Sequence, residues 1–412
     1  MDNLTHTLIS VLVGEAVHRS LPPSQNLSDR QRRGVAITVM AVGGNLPDAD
    51  VIYTTWAGTT LDYLLHHRGH THTVVGAVGL SLLLFLAVRL WWRIRKVTPQ
   101  RDDLWFLAAV SVLAPLLHIA LDFTNNYGVH PFWPFDNRWH YGDAVFIVEP
   151  LLWATAAALL FVLPGRTARV LIGLVLVAGI GLSWFSGFVP ASFAALLTVL
   201  TLGLAAVSRF APARAALAAG IAAWLVLTAT FVITTRTAER RVEALLTTRF
   251  PDARTLEVVL TPMPANPVCR EVLAVQRAAD RYVVRRAFHS LAPSWIPADR
   301  CATLSTSGTE STAKYSLVAQ PSNGEIAWAG ELAVDAALFG DLASDYCSVA
   351  ALLQFARVPF AAKDGDGWVV GDLRFDREPG LGLAEVEVSP ANDHCPDLPA
   401  PWTPPREDLL GR

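Results

Sequence analysis

The sequence predicts a polytopic α-helical membrane protein of about eight membrane segments, the first two short or re-entrant, followed by a C-terminal soluble α+β domain. Three observations predict this. Of the 412 residues, 52% are hydrophobic and 17% charged, and the mean hydropathy is +0.36, unlike a soluble globular chain. Apolar runs fill the chain up to Thr235, and the charged residues concentrate after it. All four cysteines, Cys269, Cys301, Cys347 and Cys395, fall in that polar part. A net charge of -3 and a pI near 6.4 provide no basic field, so a nucleic-acid partner has no support.

In chain order, the apolar segments 4–17 and 35–47 are shorter than the roughly 20 residues that a helix needs to cross a bilayer core. They read as tilted spans or as a re-entrant hairpin, and either form leaves the two ends of the pair on one side. Asp2 in place of a positive start, with His6, Glu15 and His18 inside the first stretch, argues against a cleavable signal. Longer spans are expected at 73–92, 104–122, 143–163, 170–188, 192–207 and 215–234. The last three have no charged residue in their interiors, which disfavours a transport path through them. Their Gly173, Gly179, Gly181, Ala205 and Gly220 suit close helix packing.

Orientation follows from the positive charges flanking the spans. One set of alternate loops holds Arg19, Arg30, Arg32, Arg33, Arg93, Arg95, Lys96, Arg101, Arg166, Arg169, Arg209 and Arg214, and the other only Arg68 and Arg138. The first set is expected to be cytoplasmic. The loops around His70 and Gly128, and everything after Thr235, are then extracytoplasmic. Cysteine usage agrees: spacings of 32, 46 and 48 contain no metal-type pair, and in an oxidising compartment disulfides are expected, with three pairings open.

The polar residues of the extracytoplasmic ends collect into one constellation. Four histidines in seven residues, His66, His67, His70 and His72, precede an apolar run, with Gly69 available for a turn. His6 opens the first segment. Asn45, Asp48 and Asp50 close the second, beside the helix-breaking Pro47. His118 and Asp122 lie four apart on one helix face, and Asp143 and Glu149 open the fifth segment. Singly, each has a structural explanation: a helix end, a hydrogen-bonded core histidine, a partner for one arginine. Together they cost about 2.5–3.5 kcal/mol apiece at membrane depth, and Arg68 and Arg138 alone do not balance them, so a divalent metal is expected. Nitrogen and oxygen donors without thiolate suit zinc, with manganese or iron as alternatives. More donors are present than one four-coordinate ion uses, so two metals, or one metal with carboxylates orienting the imidazoles, both fit. Either activates water, with Glu149 or Asp50 as the proton acceptor.

These motifs carry a resemblance. Met1 to Thr7, Leu46 to Asp50, His67 to His72, and His118 to Asp122 followed by Tyr127-Gly128 and Pro134-Phe135 resemble the YdjM-type family of membrane-bound metal-dependent hydrolases over residues 1–165, and the tail resembles longer members with a soluble extension. The resemblance implies site residues His6, Asp48, Asp50, His67, His72, His118 and Asp122. His70 falls where the pattern is open, and Glu149-Pro150 stands where Asp-Pro is usual. The expected organisation is a metal-dependent hydrolase domain over 1–165, additional transmembrane helices over 166–235 and an extracytoplasmic α+β domain over 236–412, in the bacterial inner membrane.

In the tail, a charged helix is expected at 237–250, strands at 256–260, 281–288, 314–319, 326–334, 368–375 and 382–388, and a helix at 341–356. Residues 303–312 read as a Ser/Thr-rich loop without a Gly-x-Ser-x-Gly elbow, and 396–405 as an extended, mobile end. The expected partners are the bilayer and a lipid or membrane-adjacent substrate. A phosphoester-bearing lipid comes first, although a lipid amide or ester suits the same residues. The rival reading is a metal-binding or transport protein without hydrolytic chemistry.

Overall fold

Asp2 accepts a hydrogen bond from the Thr5 backbone and so starts helix α1, Asn3–Ser20. Ser28 and Gln31 form a reciprocal capping box at the start of α2, Asp29–Gly43. These two helices open a computed structural model that describes residues 1–304, 316, 318, 320–376 and 381–410. Pro47 then forces a 3-10 turn, Leu46–Ala49, and the chain leaves at about 50° along α3, Asp50–Ala57. A short α4, Thr60–His66, leads through the histidine loop to α5, Val74–Ile94, and α6, Arg101–Phe123. After a loop come α7, Pro150–Thr155, then α8, Arg166–Phe185, α9, Ala191–Phe210, and α10, Ala213–Arg249.

Among the described residues, five helices are long and apolar enough to cross a membrane, or six if α2 and its bent continuation count as one span. The expected eight is therefore not reached by that measure. Helix α1 is diluted by His6, Glu15 and His18, and the expected span 143–163 is reduced to the apolar helical stretch Pro150–Leu159, because residues 143–149 are spent in a loop. With its flanking residues, the chain from Ile147 to Val162 still runs alongside α1: Asp2 N donates to Ile147 O (3.0 Å) at one end and Arg19 Nη2 to Val162 O (3.5 Å) at the other. The side chains of Pro150–Leu159 are buried against other helices and so do not face lipid. By contrast, Val78, Leu82 and Leu86 on α5 and Leu174 and Val177 on α8 are exposed, the apolar outer face that a bilayer covers.

Helix α10 does not stop at the expected membrane boundary. Its 37 residues continue into the tail, where Ala238, Val242 and Leu246 pack under an antiparallel four-stranded sheet. That sheet runs in order β1, Arg254–Met263, β2, Asn266–Ala278, β3, Arg281–Ser290, and β4, Ile326–Asp335. Short helix α11, Ala298–Thr303, leans on β3, and disulfide Cys269–Cys301 ties it to β2. The expected helix 341–356 is two helices, α12, Leu338–Asp345, and α13, Cys347–Leu352, broken at Tyr346. A second sheet holds β5, Pro359–Asp364, β6, Gly367–Asp372, and β7, Glu385–Val388, and Cys347–Cys395 is the other disulfide. The expected strand 314–319 and loop 303–312 lie almost wholly outside the described residues; Ser316 makes one bridge to Glu331.

The tail core is continuous with the membrane-end loops: Leu61, Leu64, Tyr127 and Trp139 pack with Leu273, Phe355 and Trp402. Residues 396–405, expected to be mobile, are seated there. Asp62 accepts from the Leu398 amide (3.0 Å), Trp402 donates to the Leu65 carbonyl (2.5 Å), and its ring stacks on His130 with centroids 3.7 Å apart.

Candidate metal centre

Four helix ends deliver the expected residues to one point. The first turn of α1 brings His6, the broken end of α2 brings Asp48 and Asp50, the loop before α5 brings His67 and His72, and the last two turns of α6 bring His118 and Asp122. Close approach depends on Gly43 and Gly44. A Cβ on Gly43 would come within 2.7 Å of Leu84 Cδ1, and one on Gly44 within 2.1 Å of Ser10 Oγ. The sharp turn of the histidine loop falls on Arg68, whose φ is +62°. Gly69 has φ -82°; its lack of a side chain instead leaves room for Trp402, which a Cβ would approach to 3.0 Å.

The heart of the site is a set of four donors, one each from Asp48, His72, His118 and Asp122, all mutually within 4.8 Å. His72 Nε2 and His118 Nε2 are 3.0 Å apart. From Asp122 Oδ2 they lie at 3.1 and 3.2 Å, and each is 3.4 Å from Asp48 Oδ1. A tetrahedral ion with ligands at about 2.0–2.1 Å requires ligand-to-ligand edges of about 3.3 Å, so these spacings fit one. Both rings are oriented from behind. His118 Nδ1 is 2.7 Å from the Gly44 carbonyl, which places the proton on Nδ1 and leaves Nε2 with its lone pair forward. His72 Nδ1 lies 3.0 Å from Thr71 Oγ1 and 3.4 Å from Asp50 Oδ2. His6 stacks on His118 (3.7 Å), and its Nε2, 3.3 Å from Asp122 Oδ1, has no hydrogen-bond partner. Such a buried, unsatisfied nitrogen fits a fifth donor or a close neighbour of an ion.

A second group, Asp48, Asp50 and His67, shares Asp48 with the first. Here the spacing is that of hydrogen bonds: Asp50 Oδ1 is 3.0 Å from His67 Nδ1, and Asp50 Oδ2 accepts from the Arg68 amide and Thr71 hydroxyl, both at 3.0 Å. The buried Arg68 guanidinium touches Asp122 Oδ1 (3.1 Å) and donates to Asn125 Oδ1 (2.8 Å), and the Met1 nitrogen also lies on Asp122 Oδ1. Asp122 thus turns one oxygen to Arg68, the Met1 nitrogen and His6, and the other to His72 and His118. Arg138 is elsewhere, in an exposed pair with Asp136.

Two expected members are not brought to this cluster. Glu149 is buried, but its carboxylate caps α7 at the Leu151 amide (3.0 Å) and accepts from the Ala265 amide (3.0 Å), so it pins the β1–β2 turn to the membrane region and lies in neither donor group. Asp143 pairs with Arg357 (2.8 Å). Of the four clustered histidines, only His67 and His72 face the site. His66 Nε2 meets the Leu398 carbonyl (3.2 Å) and His70 lies against Trp133 and Trp402. The sequence reading passed over Thr71 and Asn125 and counted Arg68 only as charge; its position inside the histidine motif was the available signal.

Residues 1–189 match the profile of the family described as YdjM inner membrane protein, so the resemblance read from the motifs holds for this part of the chain. A curated relative, the uncharacterized protein YfhP of Bacillus subtilis (strain 168), is 27% identical over 141 residues, 34% of this chain. The aligned part spans 39% of that relative's length. No solved structure matches.

Proposed function

Starting from the YdjM family match of residues 1–189, we propose that this protein is a membrane-bound metal-dependent hydrolase acting on a lipid-borne phosphoester at the extracytoplasmic membrane face. The observation that carries the reading is the spacing of the four donors, two imidazole nitrogens and two carboxylate oxygens: the imidazole nitrogens lie 3.0 Å from each other and 3.1–3.4 Å from the carboxylate oxygens, the edge length of a tetrahedral site. Asp48, His72, His118 and Asp122 would hold the ion, zinc by donor type, with manganese and iron as alternatives. Four protein donors close a tetrahedral site, so an ion held there would have to take water as a fifth ligand to act on it, and would then lower that water's pKa toward neutrality.

The remaining work falls to side chains. Asp50 fixes His67 through Nδ1, which leaves Nε2 to take a proton from the attacking water and return it to the leaving group. Arg68 offsets charge on Asp122. Asp48 is the edge open to a substrate, its side chain 14% exposed where the other three ligands are at 0%. Exposed Leu4, Val42 and Ile52 belong to the segments flanking it, an apolar approach suited to a substrate arriving from the bilayer. Trp56 and Phe135, 85% and 91% exposed, suit the headgroup level. Extracytoplasmic placement is supported by the Arg-rich opposite ends of the same helices and by both disulfides.

Elemental analysis of the purified protein tests the reading. About one ion per chain is expected, lost in His118→Ala and Asp122→Ala together with hydrolysis of lipid phosphoesters. His67→Ala should keep the ion and lose turnover, whereas a metal carrier has no turnover to lose. A folded protein that takes up neither zinc, manganese nor iron ends the proposal.

A further inference from the structure

Asn125 lies two residues past the end of α6, at the edge of the membrane region, and is 2% exposed. Its Oδ1 is engaged by Arg68 Nη1 (2.8 Å) and the Tyr127 amide (2.9 Å), but its Nδ2 has no partner. A buried amide donor left unmade points to an acceptor supplied from outside the chain. Asn125 lines a cavity of about 270 Å³ between the 124–149 loop and the tail, close to the lower bound of about 300 Å³ for ligand pockets. Its walls are mainly apolar, with Val145, Phe146, Ile147, Phe375 and Leu383 among them. Ile147 and Leu383 are 45% and 41% exposed, so the cavity has an apolar mouth. Arg374 also lines it, but that guanidinium is committed to Asp372 and to the carbonyls of Asn126 and Phe355. Among the described residues lining the cavity, the free polar group is a neutral donor and no unpaired cation accompanies it.

We infer that this cavity binds a single-chain acyl-ester lipid: the ester carbonyl accepts from Asn125 Nδ2, and the hydrocarbon lies along Val145–Ile147 and Phe375 and leaves past Leu383. The neutral donor selects a carbonyl over an anionic head, the apolar walls select a chain, and the position at the end of a span selects a molecule drawn from the bilayer. Because Asn125 also holds Arg68 against Asp122, the occupant is two side chains away from the metal cluster. Its status as the substrate of that cluster rests on the hydrolase reading; its binding does not.

The test uses the full chain in lipid nanodiscs and a 1-acyl glycerophospholipid with a diazirine in its acyl chain, with cross-links mapped by mass spectrometry. Cross-links are expected on the peptides containing residues 145–147 and 381–383. An ether-linked analogue, which lacks the carbonyl, should label these peptides about tenfold less, the size of one buried hydrogen bond left unmade. Asn125→Asp keeps acceptors for Arg68 and Tyr127 but has no N–H, and should reduce labelling by the ester to the ether's level. Leu383→Trp should block the mouth from the tail side, away from Arg68, with a similar loss. Equal labelling by ester and ether, or labelling confined to the outer faces around Val78 and Val177 and unmoved by either variant, overturns the inference. Metal content is measured on the same samples. Cavity labelling in a protein that binds no metal sinks the hydrolase reading and leaves this site standing, and a metal-loaded protein without cavity labelling does the reverse.

Discussion

Helices α1 and α2 carry an ionic cluster with a buried carboxylate at each end of the pair, and the two clusters are built differently. At the Arg-rich end, Glu15 is fully buried but bracketed by Arg19 (2.6 Å) and Arg33 (3.2 Å), and Asp29 pairs with His18 (3.0 Å) and Arg33 (3.4 Å). Acids and bases alternate there, and each carboxylate is matched by cationic side chains of the protein. At the other end Asp48, Asp50 and Asp122 meet imidazoles whose Nδ1 atoms are held from behind and whose Nε2 atoms converge, with Arg68 and the Met1 nitrogen on a single oxygen of Asp122. Burial of charge is common to both ends and is no sign of function by itself. The distinguishing feature is convergence of lone pairs on a point that, among the described residues, no Lys or Arg side chain fills.

The sharpest way to break this comparison is Glu15→Gln. Removing the buried Glu15 charge breaks two ion pairs, but Arg19 and Arg33 are 27% and 16% exposed and can turn to water, so the cost is up to about 3 kcal/mol; the thermal midpoint in detergent should fall while bound metal stays at the wild-type level. Metal loss without a stability change would mean that the two ends are not separable. The next effect is smaller and at the other end. Asp50→Asn leaves Asp48, His72, His118 and Asp122 in place but weakens the hold on His67 and His72, and should lower metal affinity by roughly 10–100-fold, measured by competition with a chelator. Affinity unchanged within twofold would demote Asp50 from orienting group to bystander.

Much of this site could be read from residue order because each donor stands at the end of an apolar run. Once alternate ends are assigned to one side of a membrane, His6, Asp48, Asp50, His67, His72, His118 and Asp122 have to meet. Glu149 has the same sequence credentials, yet its partner is the Ala265 amide, 116 residues away in the tail, and no local pattern announces that. Strand β2 was missed for a related reason. It is buried on both faces, Val272 and Ala274 against α10 and Leu273 and Val275 against the tail core, so it lacks the apolar-polar alternation that betrays a half-buried strand. Trp402 lies in a proline-rich end whose composition says only that it is extended; its seat between His70 and His130 depends on two loops that lie 332 and 272 residues earlier in the chain.

A buried histidine in the tail supplies the control for the imidazoles of the site. His289 on β3 is fully buried, both ring nitrogens lack hydrogen-bond partners, and the charged groups around it are Arg241, Arg270 and, at 3.6 Å, Glu325. Burial, followed by the two arginines, pushes its pKa down to about 4 from the ordinary 6.5. Between those values the unfolded chain binds the proton and the folded chain does not. Its stabilising effect is therefore complete above pH 6.5 and is lost as pH falls toward about 4, with a limiting slope of about 1.4 kcal/mol per pH unit. Over the first unit below pH 6.5 the loss is the smallest effect predicted here. Thermal midpoints measured from pH 7 to pH 5 should fall for the wild type and fall less for His289→Phe, which cannot take up the proton, while the metal content of that variant at pH 7 matches the wild type. An identical pH slope in both proteins would place the acid sensitivity elsewhere. Metal loss in His289→Phe would show that a single buried histidine of the tail reaches the centre, and would remove the separation between convergent and merely buried groups on which the site assignment stands.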